Sequence, residues 1–361
     1  MPICFCMPVT RGFEWNDGVT HRQKLAAALA LLAAFLGLIL FAGFFAPYDF
    51  AAQERDQPFA PPTALHFVDA QGNVHVRPFI YNLVASPANG GAAQTDLAHP
   101  YPVHFFVVGK PYKIAGLITS RVHLFGVEAP GRIFLMGSDG FGRDQFSRFL
   151  YGGQISMLAG LIAAILSVSI GAFAGGIAGY YGGWIDEVLM RGGELFLALP
   201  WLYLLFAVRA ALPLHISQWQ VFLLLISVMG LIGWARPARL IRGVVLSARE
   251  RNFVLAARGF GASDAYLLRR HVLPQTYSVM LTQVTLLVPQ YVLAEVTLTF
   301  LGLGVGEPMP SWGALLSSLQ QYSVLSSYWW MFLPALFLIP FFVVFYVASD
   351  ALQELHKSVP L

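Results

Sequence analysis

Residues 250–274 read ERNFVLAARGFGASDAYLLRRHVLP, a polar, arginine-rich stretch between two apolar segments. Within it, Ala256-Ala257 is followed by Gly261, and then, after nine further residues, by His271-Val272-Leu273-Pro274. A helix bearing two alanines has almost no side chain there, so it can approach another protein closely. Gly261 permits a turn directly after that helix, and Pro274 predicts a break before the next apolar segment. The stretch indicates a shaped surface that an otherwise lipid-soluble chain presents to a partner in water.

The composition is typical of a protein that lies in a lipid bilayer. Its 361 residues are 57% hydrophobic and only 11% charged, whereas a soluble domain holds about a quarter charged residues. The formal net charge of +3 is too small to indicate nucleic acid as a partner. Cys4 and Cys6 stand without a His or Cys cluster, so we interpret them as incidental tail residues.

Six segments are long and apolar enough to cross a hydrocarbon core of roughly 30 Å as helices of about 20 residues. They are Leu25–Ala46, Ile155–Ala178, Val188–Ala207, Ile216–Trp234, Ser278–Leu298 and Trp329–Ala348. The third contains Arg191 and Glu194, whose long side chains can reach the interface from its first two turns. The first carries no charge and is longer than the apolar core of a secretory signal, so we expect it to be retained.

Charge sets the orientation of these spans. The loop 235–275 carries eight arginines against two acidic residues, and the positive-inside rule places it on the cytoplasmic side. Counting back across the spans puts the N-terminal tail, residues 1–24, on the same side. An even number of spans brings the C-terminal tail, residues 350–361, there as well. The sequence therefore predicts a multi-pass membrane protein with both termini in the cytoplasm.

Residues 47–150 form a predicted extracytoplasmic insertion with eight basic and eight acidic residues. Leu65–Val68 and Val74–Arg77 flank a Gly-containing turn, which predicts a short β-hairpin. Tyr101–Val108 is a further strand candidate, and Ser86–Ala98, rich in Ala, Gly and Asn, is typical of a loop. We expect a small β-rich domain, with an irregular loop draped over the helices as the alternative.

The stretch 250–274 resembles the cytoplasmic coupling motif of ABC-importer permeases, in which Ala-Ala, Gly and a terminal Leu-Pro recur at this spacing. An ordinary basic loop beside the membrane would explain the arginines but not that combination. Other stretches resemble the peptide/nickel branch of this family, and its second permease more than its first. They are Phe134–Gly152, Gly179–Glu187, Leu293–Gly304 and Pro310–Gly313. The similarity is weak over residues 22–46 and good over residues 133–355.

The resemblance implies an all-α polytopic protein of the bacterial inner (plasma) membrane with six transmembrane helices, the binding-protein-dependent ABC importer permease fold. The first helix, 25–46, and a five-helix core, 151–349, would form half of a heterodimeric pore. The implied partners are a second permease subunit, two cytoplasmic ABC ATPase subunits, an extracytoplasmic solute-binding protein and membrane lipids. ATP and Mg would be bound by the ATPases, with no cofactor in this chain. The implied substrates are di- or oligopeptides, with nickel chelates or other small solutes as the alternative.

Site residues follow from the same resemblance. The implied ATPase-coupling residues are Ala256, Ala257, Arg258, Gly261, His271, Leu273 and Pro274. The family motif usually opens with Glu where this chain has Leu255, so a salt bridge there is absent or supplied by Glu250. Glu295, with Gly302 and Gly304, is a candidate for the translocation path or the bundle interior, because an ionisable residue in a span is a functional hypothesis. The alternative for Glu295 is a buried carboxylate that holds helices together.

Missing motifs narrow the function further. The sequence has no phosphate-binding loop, since its one Gly-Lys pair, Gly109-Lys110, is followed by Pro. It also lacks H-E-x-x-H and G-x-S-x-G, so we expect a non-catalytic subunit. Two other classes stay open. One is an ATP-independent secondary transporter or channel, which needs sites in broken helices and usually internal repeats. The other is a membrane scaffold whose insertion is the working domain.

Overall fold

A computed structural model describes residues 21–85, 93–114, 116–198, 200–211 and 217–358. The pair Cys4 and Cys6 lies outside the described residues, as do residues 86–92 of the predicted loop and the end of the C-terminal tail. The helices in the described part are α1 (His21–Leu40), α2 (Ala42–Phe45), α3 (Gln145–Tyr181), α4 (Gly183–Ala198), α5 (Trp201–Ala210), α6 (Gln218–Gly233), α7 (Ala235–Arg249), α8 (Asn252–Gly259), α9 (Asp264–Leu267), α10 (Tyr277–Phe300), α11 (Trp312–Ser317), α12 (Tyr322–Ser327) and α13 (Leu333–Ser358). The strands are β1 (His66–Val68), β2 (Val74–Ala85), β3 (Ala93–Ile114) and β4 (Ile118–Val127).

Helix α3 is the central element of the bundle. Asp144 caps it, because its carboxylate accepts hydrogen bonds from the Ser147 backbone N at 2.9 Å and from the Ser147 hydroxyl at 2.5 Å. Its 37 residues span about 55 Å at 1.5 Å per residue, more than the hydrocarbon core requires. The apolar run predicted a start near Ile155 and a boundary at residue 150, but the capped helix begins at Gln145.

By length and composition, three helical segments in the described part of the chain could cross a membrane: Gln145–Tyr181, Asp264–Phe300 and Trp329–Asp350. A fourth is present if α6 and α7, bent by 42° relative to each other, count as one span. Two predicted spans are interrupted. The first is divided at Phe41, whose φ of −93° and ψ of 30° leave the helical region, and the third is divided into α4 and α5, with Pro200 directly before α5.

The predicted cytoplasmic loop between two spans, residues 235–275, is almost entirely helical, and the helix expected at Ala256-Ala257 is α8. This loop consists of α7, α8 and α9, followed by a π-helical segment at Leu268–Val272 and a 3-10 turn at Leu273–Thr276. The predicted break at Pro274 is wrong. Pro274 lies in the first turn of the 3-10 segment, where a missing N–H is tolerated, and the helical path continues to Phe300.

Small residues on α3 allow neighbouring helices to approach closely. A Cβ at Gly175 would overlap the Ala238 carbonyl oxygen of α7, and a Cβ at Gly160 would lie 2.6 Å from Val292 of α10. Such contacts are typical of helix packing in membranes. The main apolar core is formed by α3, α6, α10 and α13, together with the end of α1 and α2.

The insertion contains a four-stranded antiparallel sheet in the order β1-β2-β3-β4. The first hairpin pairs Val68 with Val74. The predicted loop Ser86–Ala98 is partly wrong: Ala93–Ala98 belong to β3, since Thr95 pairs with Leu83 of β2. The Tyr48 hydroxyl, which accepts a hydrogen bond from Ile133 N at 2.9 Å, joins the segment after α2 to the chain that leaves the sheet. We call this end of the bundle the insertion end.

Candidate functional site

The predicted coupling residues lie at the opposite end of the bundle, which we call the basic end, where α3 finishes at Tyr181. Helix α8 rests there on a small apolar cluster formed by Tyr180, Ile241, Val245, Ala248, Val254, Leu267 and Val272. Val254 is fully buried, and Ala257 is half-buried against the cluster. Ala256 and Leu255 face outward. One side of α8 is therefore anchored, while the side bearing Ala256 is free within this chain.

A tight turn follows α8. The backbone N–H of Phe260 donates to Ala256 O at 3.0 Å, and that of Ala262 donates to Ala257 O at 3.2 Å. Gly261 has a φ of +83°, and a Cβ built on it would meet nothing within 4 Å. Within this chain the glycine is required by backbone conformation rather than by crowding. The Phe260 side chain is 93% exposed at this turn.

Polar contacts join this turn to the end of α3. The Tyr180 hydroxyl donates to Asp264 Oδ1 at 2.7 Å and accepts a hydrogen bond from Arg258 at 2.9 Å. That hydrogen bond raises the pKa of Arg258, with a smaller contribution from Asp264. Arg249 donates to the carbonyls of Gly179 and Tyr180 at 3.0 and 3.2 Å. Sequence reasoning missed Tyr180 and Arg249, because their partners lie far along the chain.

The remaining coupling candidates lie on the path from α9 to α10. His271 is half-buried, with its ring centroid 6.1 Å from that of Phe253 and 5.5 Å from that of Tyr266. Leu273 contacts α3, since a Cβ at Gly176 would lie 3.1 Å from its side chain. The structure therefore brings Ala256, Arg258 and Gly261 together on one surface. It places His271, Leu273 and Pro274 between that surface and the membrane helices.

Ion pairs also attach α4 to α7 at the basic end. Arg242 binds both carboxylate oxygens of Asp186 at 2.5 Å. Arg239 lies 3.3 Å from Glu194, which is also 3.4 Å from Arg191. A bidentate arginine–carboxylate pair fixes geometry as well as charge. Helices α3, α4 and α7 are thus linked near the surface that carries α8.

Glu295 lies in the bundle interior and is completely buried. Ser156 of α3 donates to its carboxylate at 2.6 Å, and Thr299 donates at 2.8 Å. The Ser156 hydroxyl also accepts from the backbone N–H of Trp312 at 3.2 Å, so the network joins α10 to α3 and α11. Gly302 has a φ of +78°, and a Cβ at Gly304 would overlap Thr299. Both glycines shape the turn after α10, and a role in the translocation path stays a prediction.

Sequence reasoning also missed a cavity of about 350 Å³ between α4, α5, α6 and α10. Its walls are mainly apolar but include Arg236, Gln290 and Tyr291. Arg236 and Gln290 are exposed, and the Tyr291 hydroxyl forms a hydrogen bond with Ser167 at 2.7 Å. Polar groups at such a position in a membrane bundle are expensive and usually functional.

A second polar cluster lies at the insertion end, in the Phe134–Gly152 stretch. Arg143 pairs with Asp139 at 2.7 Å and with Glu307 at 2.9 Å. Arg148 is 2% exposed and donates to Glu307 at 2.8 Å. Burial raises the pKa of Asp144 to about 6. These contacts attach the start of α3 to the loop before α11.

Among the described residues, no group of three or more His, Cys, Asp or Glu side chains is placed to hold a metal ion.

The amino-acid sequence is similar to those of known proteins. Residues 167–357 match the family model described as "Binding-protein-dependent transport system inner membrane component". The chain is 36% identical over 219 residues to the dipeptide transport system permease protein DppC of Bacillus subtilis, covering 60% of this chain and 66% of that protein. It is 35% identical over 226 residues to the oligopeptide transport system permease protein OppC of the same organism, covering 62% and 72%.

A solved structure, described as the crystal structure of an amino acid ABC transporter with histidines, matches at a TM-score of 0.42 and 17% identity. The match covers 59% of this chain and 94% of that chain, a similarity too low to support an inference. The family model, in contrast, covers more than half of this chain, and the two permeases exceed 30% identity. The chain therefore belongs to the family of binding-protein-dependent transport system inner membrane components.

Proposed function

We propose that this chain is the membrane permease subunit of an ATP-driven importer and forms half of a translocation path. The observation that carries this proposal is the surface made by α8 and the Gly261 turn, which we call the coupling surface (residues 252–263). It presents Ala256 and Phe260 to solvent while its other side is fixed to α3 and α7. Such a surface fits a cleft on a separate protein. The names of the similar permeases support peptides as the substrate class, with nickel chelates or other small solutes as the alternative.

The contacts supply a route by which movement of the coupling surface reaches the membrane. Two cytoplasmic ATPase subunits, which bind ATP and Mg, would dock on this surface and move it as they close. The movement reaches α3 through Tyr180 and Arg249, and α10 through the continuous helical path from Asp264 to Phe300. The bundle then exchanges between outward- and inward-facing states, an equilibrium that the nucleotide biases. This chain needs no cofactor of its own in that cycle.

The same proposal sets the topology. We assign six spans to α1–α2, α3, α4–α5, α6, α10 and α13, with α7–α9 on the cytoplasmic side. The basic end and both termini are cytoplasmic by the positive-inside rule. The second permease subunit would face the cavity that holds Arg236 and Gln290, since polar side chains there are better placed against a partner than against lipid. A solute-binding protein would deliver substrate at the insertion end.

Reconstitution tests the proposal directly. The chain is placed in proteoliposomes with its second permease and ATPases, and uptake of a labelled dipeptide is measured in the presence of the binding protein. We expect uptake only when ATP and the ATPases are present together. Uptake that an ion gradient drives without ATP would instead identify a secondary transporter. Ligand binding or catalysis by the insertion alone would identify a scaffold with a working domain outside the membrane.

A further inference from the structure

Most of the hairpin formed by β3 and β4, from Leu97 to Val127, carries charge of one sign only. From Leu97 to Val127 the sequence contains Lys110, Lys113 and Arg121 but no Asp or Glu. All three cations are exposed. Asp96 lies near the start of β3, before this stretch, and the other seven acidic residues of the insertion lie outside both strands. The insertion is balanced in total charge, but the stretch Leu97–Val127 holds three of its eight cations and none of its eight acidic residues.

The same hairpin exposes large apolar side chains. Its most exposed apolar residues are Phe105 (60%), Phe106 (66%), Val108 (77%), Leu117 (86%) and Ile118 (65%). Several large apolar side chains exposed on one hairpin indicate a contact with protein or membrane. Phe106 also has a φ of 56°, which is costly for a residue with a Cβ. A strained conformation of this kind persists where a contact requires it. The Phe106 ring is mostly exposed within this chain, so the contact that it makes lies largely outside the chain.

The hairpin is attached where the first apolar segment ends. The Tyr112 ring lies directly against Gly43 of α2, because a Cβ at that glycine would overlap the ring. The His123 ring lies between two carbonyl oxygens, with Nδ1 2.7 Å from Ala46 O and Nε2 3.0 Å from Lys110 O. The Phe106 ring centroid is 6.3 Å from that of Phe44. The hairpin therefore lies at the level where this segment leaves the hydrocarbon core.

We propose that the β3–β4 hairpin docks on the outer leaflet of the membrane beside the first span. The apolar side chains enter the headgroup region, where aromatic residues are favoured, and Lys110, Lys113 and Arg121 pair with anionic lipid phosphates. Interfacial binding needs both an apolar face and cations, because neither holds a surface stably by itself. The absence of any carboxylate from Leu97 to Val127 favours an anionic lipid surface over a protein partner of mixed charge.

A lipid-contact measurement on the full-length chain tests this docking. In a Cys4→Ser/Cys6→Ser background, an environment-sensitive fluorophore is attached at Leu117→Cys or, as the control, at Val76→Cys. Val76 is 97% exposed on β2, outside the hairpin. The protein alone is reconstituted into vesicles of phosphatidylglycerol and phosphatidylcholine that contain a lipid carrying a quencher near its headgroup. We expect strong quenching and a blue-shifted emission at position 117 and neither at position 76.

The charge requirement is tested with Lys110→Gln/Lys113→Gln/Arg121→Gln. Each cation near an anionic surface shifts the docked-to-free ratio by about fivefold, so the triple variant should lose the quenching at position 117. Pure phosphatidylcholine vesicles should weaken quenching of the parent protein in the same direction. Equal emission and quenching at positions 117 and 76 would overturn the proposal. So would shielding of position 117 that occurs only after the second permease or the binding protein is added.

Discussion

At the residue scale, Gly261 carries a backbone conformation that few other residues accept. Its φ is +83°, and a Cβ at this position would have no neighbouring atom within 4 Å. A β-branched residue there costs roughly 1–2 kcal/mol in backbone strain, whereas Asn tolerates the left-handed region. We expect Gly261→Val to reduce ATPase co-purification and uptake, and Gly261→Asn to retain both. Equal loss in both variants would show that the absence of a side chain, not φ, is what the partner needs.

Asp144 makes stability depend on pH at the insertion end. Burial raises its pKa from 3.8 to about 6 in the folded protein. Because the folded pKa is the higher one, the stability that this group contributes is present below pH 3.8 and is lost as the pH rises through about 6. Asp144→Asn keeps an acceptor for Ser147 but cannot ionise.

Relative to the parent protein, Asp144→Asn should therefore gain stability between pH 4 and pH 7.5, on the order of 3 kcal/mol. Thermal unfolding in detergent at the two pH values measures this difference. Asp69→Asn is a control of opposite sign, because hydrogen bonds from His75 and Asn73 hold the pKa of Asp69 below its usual range. A constant difference between Asp144→Asn and the parent across this pH range would contradict the assignment.

At the element scale, Tyr180 is the joint between α3 and the coupling surface. Its hydroxyl bonds to Asp264 and Arg258, both charged, and losing such bonds costs about 2 kcal/mol. We expect Tyr180→Phe to leave ATPase docking intact while lowering the uptake obtained per ATP hydrolysed. Tyr181→Phe is the matched control, since the neighbouring Tyr181 is 51% exposed. An unchanged ratio of uptake to ATP hydrolysis in Tyr180→Phe would show that the Tyr180 hydroxyl does not transmit movement from the coupling surface to α3.

Apolar runs predicted where the long helices lie but not how they begin, bend or continue. Helix α10, Tyr277–Phe300, agrees closely with the predicted Ser278–Leu298. Helix α3 extends past its apolar run because Asp144 caps it and the ion pairs of Arg143 and Arg148 stabilise its first turns. Pro274 was expected to break the chain, but it occupies the first turn of a 3-10 segment. A proline in the first turn of a helical segment does not interrupt it, because the missing N–H has no partner there. Hydropathy alone does not show where the first turn lies.

At the scale of the whole molecule, the spacing of Ala256, Ala257 and Gly261 predicted the surface that we propose as the coupling surface, since these residues are close in sequence. Its attachment could not be predicted in the same way. Tyr180 and Arg258 are 78 positions apart, and Arg249 and Gly179 are 70 apart, so only the packing of α3 against α7 and α8 brings them together. The cavity with Arg236 and Gln290 likewise requires helices from distant parts of the chain. Spacing along the sequence predicts which residues share a surface, whereas the tertiary fold shows which helices that surface contacts.

The central claim is that ATPase subunits act through the coupling surface. A bulky side chain at position 256 tests this claim most directly. This residue is exposed on α8, so Ala256→Trp should fold and insert normally while blocking close approach of a partner. Ala51→Trp makes the same change at an exposed residue of the insertion end. The measurement is ATP-driven uptake together with ATPase co-purification for both variants. We predict that Ala256→Trp loses both and Ala51→Trp retains both; normal uptake with bound ATPase in Ala256→Trp would contradict the account.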